Sequence, residues 1–143
     1  IGTGGGAGTL IGCAGNATLP PGVYISATNS TIGVTGTLTL NGGPNDIWVF
    51  QAPSALTTAV NSTILLTGGA KASNVMWFVG SSATLNGGTT FNGNILASAS
   101  ISMGTLATSC GRLLAGAEGA GTFSFLSNTV SVPGHANAPV GCE

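Results

Sequence analysis

The chain repeats itself at short range. Asn94-Ile95-Leu96-Ala97 and Arg112-Leu113-Leu114-Ala115 stand 18 residues apart, and Met76-Trp77-Phe78-Val79 stands 18 before the first. Each run is followed by a second: Ala83-Thr84-Leu85, Ile101-Ser102-Met103 and Phe123-Ser124-Phe125. A third follows in turn: Thr89-Thr90-Phe91, Ala107-Thr108-Ser109 and Asn128-Thr129-Val130. An earlier unit, Trp48-Val49-Phe50, Leu56-Thr57-Thr58 and Thr63-Ile64-Leu65, fits the same scheme, with an insert before Met76 that lengthens its period to 28 residues. Runs of β-branched and aromatic residues separated by Gly, Asn and Pro read as strands, here over 35–40, 47–51, 62–66, 75–79, 94–97 and 112–115. Three short strands per repeat describe one turn of a three-sided coil, so the sequence predicts an all-β solenoid (a β-helix). A hairpin sandwich would supply the same strands without the echo.

Such a coil accounts for the composition. Stacked turns pair their backbones along the axis at about 4.7–4.9 Å, while inward side chains fill a narrow core. Leu65, Phe78, Leu85, Phe91, Ile95, Ile101 and Leu113 are the core candidates, with the intervening Thr, Ser, Ala and Asn facing out. Corners favour residues that tolerate positive φ, and Gly is 25 of 143 residues. The length suits one domain, divided as a Gly-rich segment 1–18, the solenoid 19–132 and a tail 133–143.

Charge excludes most other uses. Charged residues are 3% of the chain, against roughly 25% in an average globular protein. Asp46, Lys71, Arg112, Glu118 and Glu143 carry formal charge, for a net −1. That is no footprint for nucleic acid or an anionic membrane, and no apolar run has the ~18 residues of a membrane span. Acid–base catalysis needs several convergent ionisable groups, whereas the three carboxylates and His135 are scattered along the chain; the chain reads as a non-enzyme. Gly4-Gly5-Gly6-Ala7-Gly8 follows no strand and precedes no Gly-Lys-Ser/Thr, so it is no phosphate loop, and no cofactor is expected.

Cys13, Cys110 and Cys142 allow one disulfide with a free thiol, or an intermolecular bridge, and their spacing fits no metal motif. Asn16, Asn29 and Asn61 head N-glycosylation sequons. With few lysines and a neutral surface, these features suit a secreted, extracellular protein. The first residues lack the basic and apolar regions of a signal peptide and read as a processed end. Trp48 and Trp77, on apparently equivalent faces of successive units, are core or seam residues, or else a platform for stacking sugars. What remains distinctive is a regular outer face of small uncharged residues, suited to ordering water as ice does, to adsorbing on a flat solid, or to stacking on a copy of itself.

Leu19-Pro20-Pro21-Gly22-Val23-Tyr24, then Gly33-Val34-Thr35-Gly36-Thr37-Leu38-Thr39-Leu40, resembles the entry into the second half of microbial ice-binding proteins with the irregular β-solenoid fold. The similarity continues through Ile47-Trp48-Val49-Phe50-Gln51, residues 74–85, residues 89–97 and Gly111-Arg112-Leu113-Leu114-Ala115. It implies a right-handed, roughly triangular solenoid with one flat ice-binding face, marked by a loose Thr-Ala/Gly-X-Thr/Asn pattern. Thr58-Ala59-Val60-Asn61 fits that pattern; Gly87-Gly88-Thr89-Thr90 and Thr105-Leu106-Ala107-Thr108 are the equivalent stretches. Thr58, Asn61, Thr90, Thr105 and Thr108 are therefore the expected ice contacts. The family's flanking helix and early coils have no counterpart before Leu19. Self-association, or a complementary N-terminal fragment, is the expected cover for surface they would leave open, and assembly through exposed solenoid edges is the alternative function.

Overall fold

The computed structural model describes residues 8–10, 17–26, 31–133 and 142. The chain winds through three parallel sheets in strict rotation. Sheet A contains β1 (Gly8–Leu10), β3 (Gly22–Ser26), β6 (Trp48–Ala52), β9 (Val75–Val79), β12 (Asn94–Ala97) and β15 (Leu113–Ala115). Sheet B contains β4 (Ile32–Val34), β7 (Leu56–Thr58), β10 (Ala83–Leu85), β13 (Ser100–Met103) and β16 (Thr122–Phe125). Sheet C contains β2 (Ala17–Leu19), β5 (Thr37–Asn41), β8 (Thr63–Thr67), β11 (Thr90–Asn92), β14 (Thr108–Cys110) and β17 (Thr129–Ser131). Five successive A–B–C turns, from β3 to β17, are complete among the described residues. The expected solenoid is therefore the fold, and strand pairing reaches back to Gly8, ahead of the expected start at 19.

Register explains the 18-residue echo: Ile95 pairs with Trp77 on one side and Leu113 on the other, and Ala83 pairs with both Leu56 and Ile101. Each rung thus repeats the in/out phase of its neighbours, because a one-residue slip would turn every side chain to the opposite face. Inside, the sheet A column Tyr24, Phe50, Trp77 stacks ring on ring, with centroids 5.4 and 3.9 Å apart, and Phe91 leans on Trp77 from sheet C at 5.1 Å. Leu85, Phe91, Ile95 and Ile101 are buried as expected.

Three core assignments are corrected. Leu65 and Phe78 point outward, the inward positions being taken by their neighbours Ile64 and Trp77, and Leu113 is only partly buried because β15 is the edge strand of sheet A among the described residues. Trp48 and Trp77 are 0% and 1% exposed, so neither can stack on a sugar. Nor are they equivalent: Trp77 pairs with Phe50, and Trp48 with Val75. Their indole N–H groups donate to Leu19 O and Asn92 O, both at 3.3 Å.

The corners differ in kind. Between sheets B and C, each of the last four coils turns through a left-handed residue two positions before β8, β11, β14 and β17: Asn61, Gly88, Leu106 and Ser127. Between sheets C and A the last two corners are as tight as a backbone allows. A Cβ on Gly111, φ +143°, would strike the Gly93 carbonyl. The corners from β5 to β6 and from β8 to β9 are long, and the second holds the 28-residue unit's insert with a 3₁₀ turn at Ala72–Asn74.

Candidate functional site

Alternation along sheet B carries one side chain in three outward at each rung. Leu56 and Thr58 are buried while Thr57 is not; Ala83 and Leu85 are buried while Thr84 is not; Ile101 and Met103 are buried while Ser100 and Ser102 are not. Register aligns the outward residues into a column, Gly33, Thr57, Thr84, Ser102 and Ser124. On β13 and β16 a second outward pair stands two residues earlier, Ser100 with Thr122, their hydroxyls 2.8 Å apart. Rungs repeat at about 4.7–4.9 Å, and side chains two apart on a strand at roughly 6.6 Å. The result is a registered outward row of hydroxyls and methyls, with Gly33 at its first rung and the exposed Phe123 and Phe125 flanking Ser124 at its last.

The charges lie elsewhere. Asp46, Lys71 and Arg112 all fall in C–A corners, just ahead of β6, β9 and β15. In a three-sided coil that corner is the edge opposite sheet B. Asp46 is occupied there with its own turn, its carboxylate accepting the Gly43 N–H at 2.7 Å. Glu118 sits in the last A–B corner, and Glu143 lies outside the described residues. Among the described residues no three of His, Cys, Asp or Glu group to hold a metal ion, and no helix is long and apolar enough to cross a membrane.

The five expected ice contacts do not form one surface. Thr58 is a correction: it is 0% exposed and faces the core. Its Oγ1 shares a 2.8 Å hydrogen bond with Thr89 Oγ1 and accepts the Asn86 backbone N–H at 3.1 Å, while Asn86 Nδ2 donates to Thr58 O at 2.8 Å. Asn61 and Thr105 are exposed on the ridge between sheets B and C, beside the apolar Val60 and Leu106. Thr90 and Thr108 are exposed on sheet C, within a registered column Thr37, Thr63, Thr90, Thr108, Thr129.

Sheet C is not flat beside that column. Leu65 stands out 44% exposed, and a groove of about 370 Å³ runs past Thr63, Thr90, Asn92 and Thr108 to Cys142. Cys142 is bonded to Cys110, which settles the cysteine pairing left open by the sequence; Cys13, like Asn16, Asn29 and His135, lies outside the described residues. Sheet A is largely apolar outside as well as inside, with Val23, Ile25, Phe78 and Leu114 exposed and Gln51 between Ile25 and Phe78 in the outward column. The sheet B column went unassigned in the sequence although its signal was there. Aligning Leu56-Thr57-Thr58 with Ala83-Thr84-Leu85 and Ile101-Ser102-Met103 puts Thr58 in a column with Leu85 and Met103.

Fold and surface together define a charge-poor β-solenoid whose sheet B carries a registered outward column of Thr and Ser. The chain belongs to the ice-binding-like family, whose model matches residues 4–130. It is 52% identical over 104 residues to an ice-binding protein of Nostoc sp. (strain HG1), covering 71% of this chain and 38% of that protein. It is 37% identical over 128 residues to an ice-binding protein of Flavobacterium frigoris (strain PS1), covering 90% of this chain and 43% of that one. The crystal structure of an ice-binding protein from the Antarctic ascomycete Antarctomyces psychrotrophicus superposes with a TM-score of 0.78 at 39% identity, over 94% of this chain and 64% of the other. An ice-binding protein from an Antarctic biological consortium gives 0.81 at 38% identity, over 89% and 56%. This chain therefore spans well under half the length of those two curated relatives.

Proposed function

We propose that this chain is a secreted, non-catalytic domain that adsorbs to ice through the outer side of sheet B. The observation that carries the reading is the registered column of small hydroxyl residues on sheet B, with Asp46, Lys71 and Arg112 on the opposite edge and Glu118 at the last A–B corner. A charged group holds its hydration shell in a geometry of its own, whereas hydroxyls spaced by a rigid backbone let first-layer water take up a solid-like order between the methyls. Flatness matters for the same reason, since a gap of 0.5–1 Å already loses about a quarter to a half of each van der Waals contact. That favours sheet B over the Thr90 and Thr108 column, which borders a groove.

The test is a pair of double variants assayed for thermal hysteresis and ice-crystal shaping. Thr84→Tyr/Ser102→Tyr on sheet B is expected to reduce hysteresis to background with the β-sheet circular dichroism intact, and Thr90→Tyr/Thr108→Tyr to keep most of it. The opposite pattern moves the site to sheet C. Self-assembly is the second reading, favoured by Phe123, Phe125 and Val130 standing half exposed on the last coil. A sharp monomer on sizing at micromolar concentration argues against it. The exposed apolar side of sheet A is the surface that a complementary N-terminal fragment would cover.

A further inference from the structure

The bridge between Cys110 and Cys142, 32 residues apart in sequence, encloses the whole of the last coil, β15, β16 and β17. That coil is the least buried of the complete ones. Every residue of β16 is exposed, Phe123 and Phe125 included, although Ile101 and Met103 at the same register positions one coil back are 0% and 1% exposed. A rung with a neighbour on one side gains little apolar burial to set against the entropy of ordering it, so it belongs to the weak end of the stability range.

Cys142, which closes the loop, lies past its own coil. Cys110 alternates with the inward Ser109 and so points out of sheet C, where Cys142 packs with it against Ala72 and Leu66. Leu66 is in β8 and Ala72 opens the 3₁₀ turn after it. The chain leaving β17 has therefore come back, by residue 142, to a coil three turns earlier. The insert that interrupts the repeat supplies the seat of the bridge. Both cysteines are buried, at 7% and 2% exposure.

We infer that Cys110 and Cys142 are a positioning pair for the last rung of the sheet B column. By closing the chain around the last coil, they hold Thr122 and Ser124 in register with Ser100 and Ser102. Beyond the backbone ladders to β12, β13 and β14, the side-chain hydrogen bonds that dock this coil are Ser100 with Thr122, Asn94 Oδ1 accepting the Arg112 N–H at 2.9 Å, and Asn128 Nδ2 donating to Gly104 O at 2.6 Å and Ala107 O at 3.2 Å. Opening the loop multiplies the conformations open to about thirty residues, whereas the inner coils keep neighbours on both sides. The consequence for ice rests on the sheet B reading; the consequence for the coil does not.

The experiment compares the native protein with Cys110→Ala/Cys142→Ala by peptide-resolved amide hydrogen exchange and by thermal hysteresis. Protection within 113–131 is expected to fall roughly a hundredfold, with protection within 75–103 retained, and hysteresis is expected to drop as it does in bridged Thr122→Tyr/Ser124→Tyr. Unchanged protection in 113–131, or an equal loss in every coil, overturns the assignment. So does full hysteresis in a variant whose last coil exchanges freely. A native protein without hysteresis refutes the ice reading instead, and the exchange data then decide the clasp alone. If the double variant does not fold, the native protein is treated with a dithiol, which delivers two electrons and two protons to the bridge and leaves as its own cyclic disulfide. The same peptides are then read.

Discussion

Replacing Thr58 by valine separates the inward from the outward threonines. The two side chains have nearly the same shape, so the core is not repacked; what disappears is one buried hydroxyl. Thr58 Oγ1 accepts the Asn86 N–H at 3.1 Å and shares a 2.8 Å bond with Thr89 Oγ1. Thr89 keeps an alternative acceptor in Ala59 O at 3.3 Å, so the main cost is the unpaired Asn86 amide. Such a group costs about 1–3 kcal/mol, offset by about 0.8 kcal/mol for the added carbon in an apolar site. The net expectation is a loss of about 1–2 kcal/mol. Since 1 kcal/mol corresponds to roughly 2–4 °C in a domain of this size, calorimetry should show a Tm lower by about 5 °C, and urea unfolding a lower midpoint at unchanged slope. Thr58→Ser, which keeps the hydroxyl, should retain the Asn86 bond. Ice shaping should survive both changes, because neither touches the outer column. A Thr58→Val protein of native stability that no longer shapes ice would refute the inward placement and restore Thr58 to the contact surface.

Other positions test the coil itself. Leu106 is 71% exposed with φ +62°, a conformation costing an L-residue about 1–2 kcal/mol. Leu106→Gly should therefore raise the unfolding free energy by ~1 kcal/mol after the glycine's extra unfolded-state freedom is counted, measured by urea titration. Gly111→Ala must push its methyl into the Gly93 carbonyl from a φ of +143° and should cost at least ~2 kcal/mol in the same titration. Trp77→Ala removes the ring that joins the Tyr24–Phe50 stack to Phe91; a loss of about 3–5 kcal/mol is expected, read as the shift of the urea midpoint.

The period, the strand content and most strand positions were legible because a solenoid is translationally repetitive. The residues that pair across rungs are those one period apart in the chain, so Ala83-Thr84-Leu85 and Ile101-Ser102-Met103 announce their own register. The site was harder to read. Thr58 looks like a surface residue by polarity alone, and only its hydrogen bonds to Asn86 and Thr89 make the interior hospitable. Leu65 and Phe78 look like core residues because their strands are apolar on both phases: Ile64 beside Leu65, Trp77 beside Phe78.

Taken alone, the amino-acid order established a charge-poor, three-stranded repeat of 18 residues. Periodicity is a local property, and backbone pairing between identical turns needs nothing more. The cysteine partners, the phase of each threonine and the placing of charges on the edge opposite sheet B came only with the tertiary structure. Each depends on where the chain stands after several turns around the axis, and an insert or a returning tail resets that angle without altering the repeat.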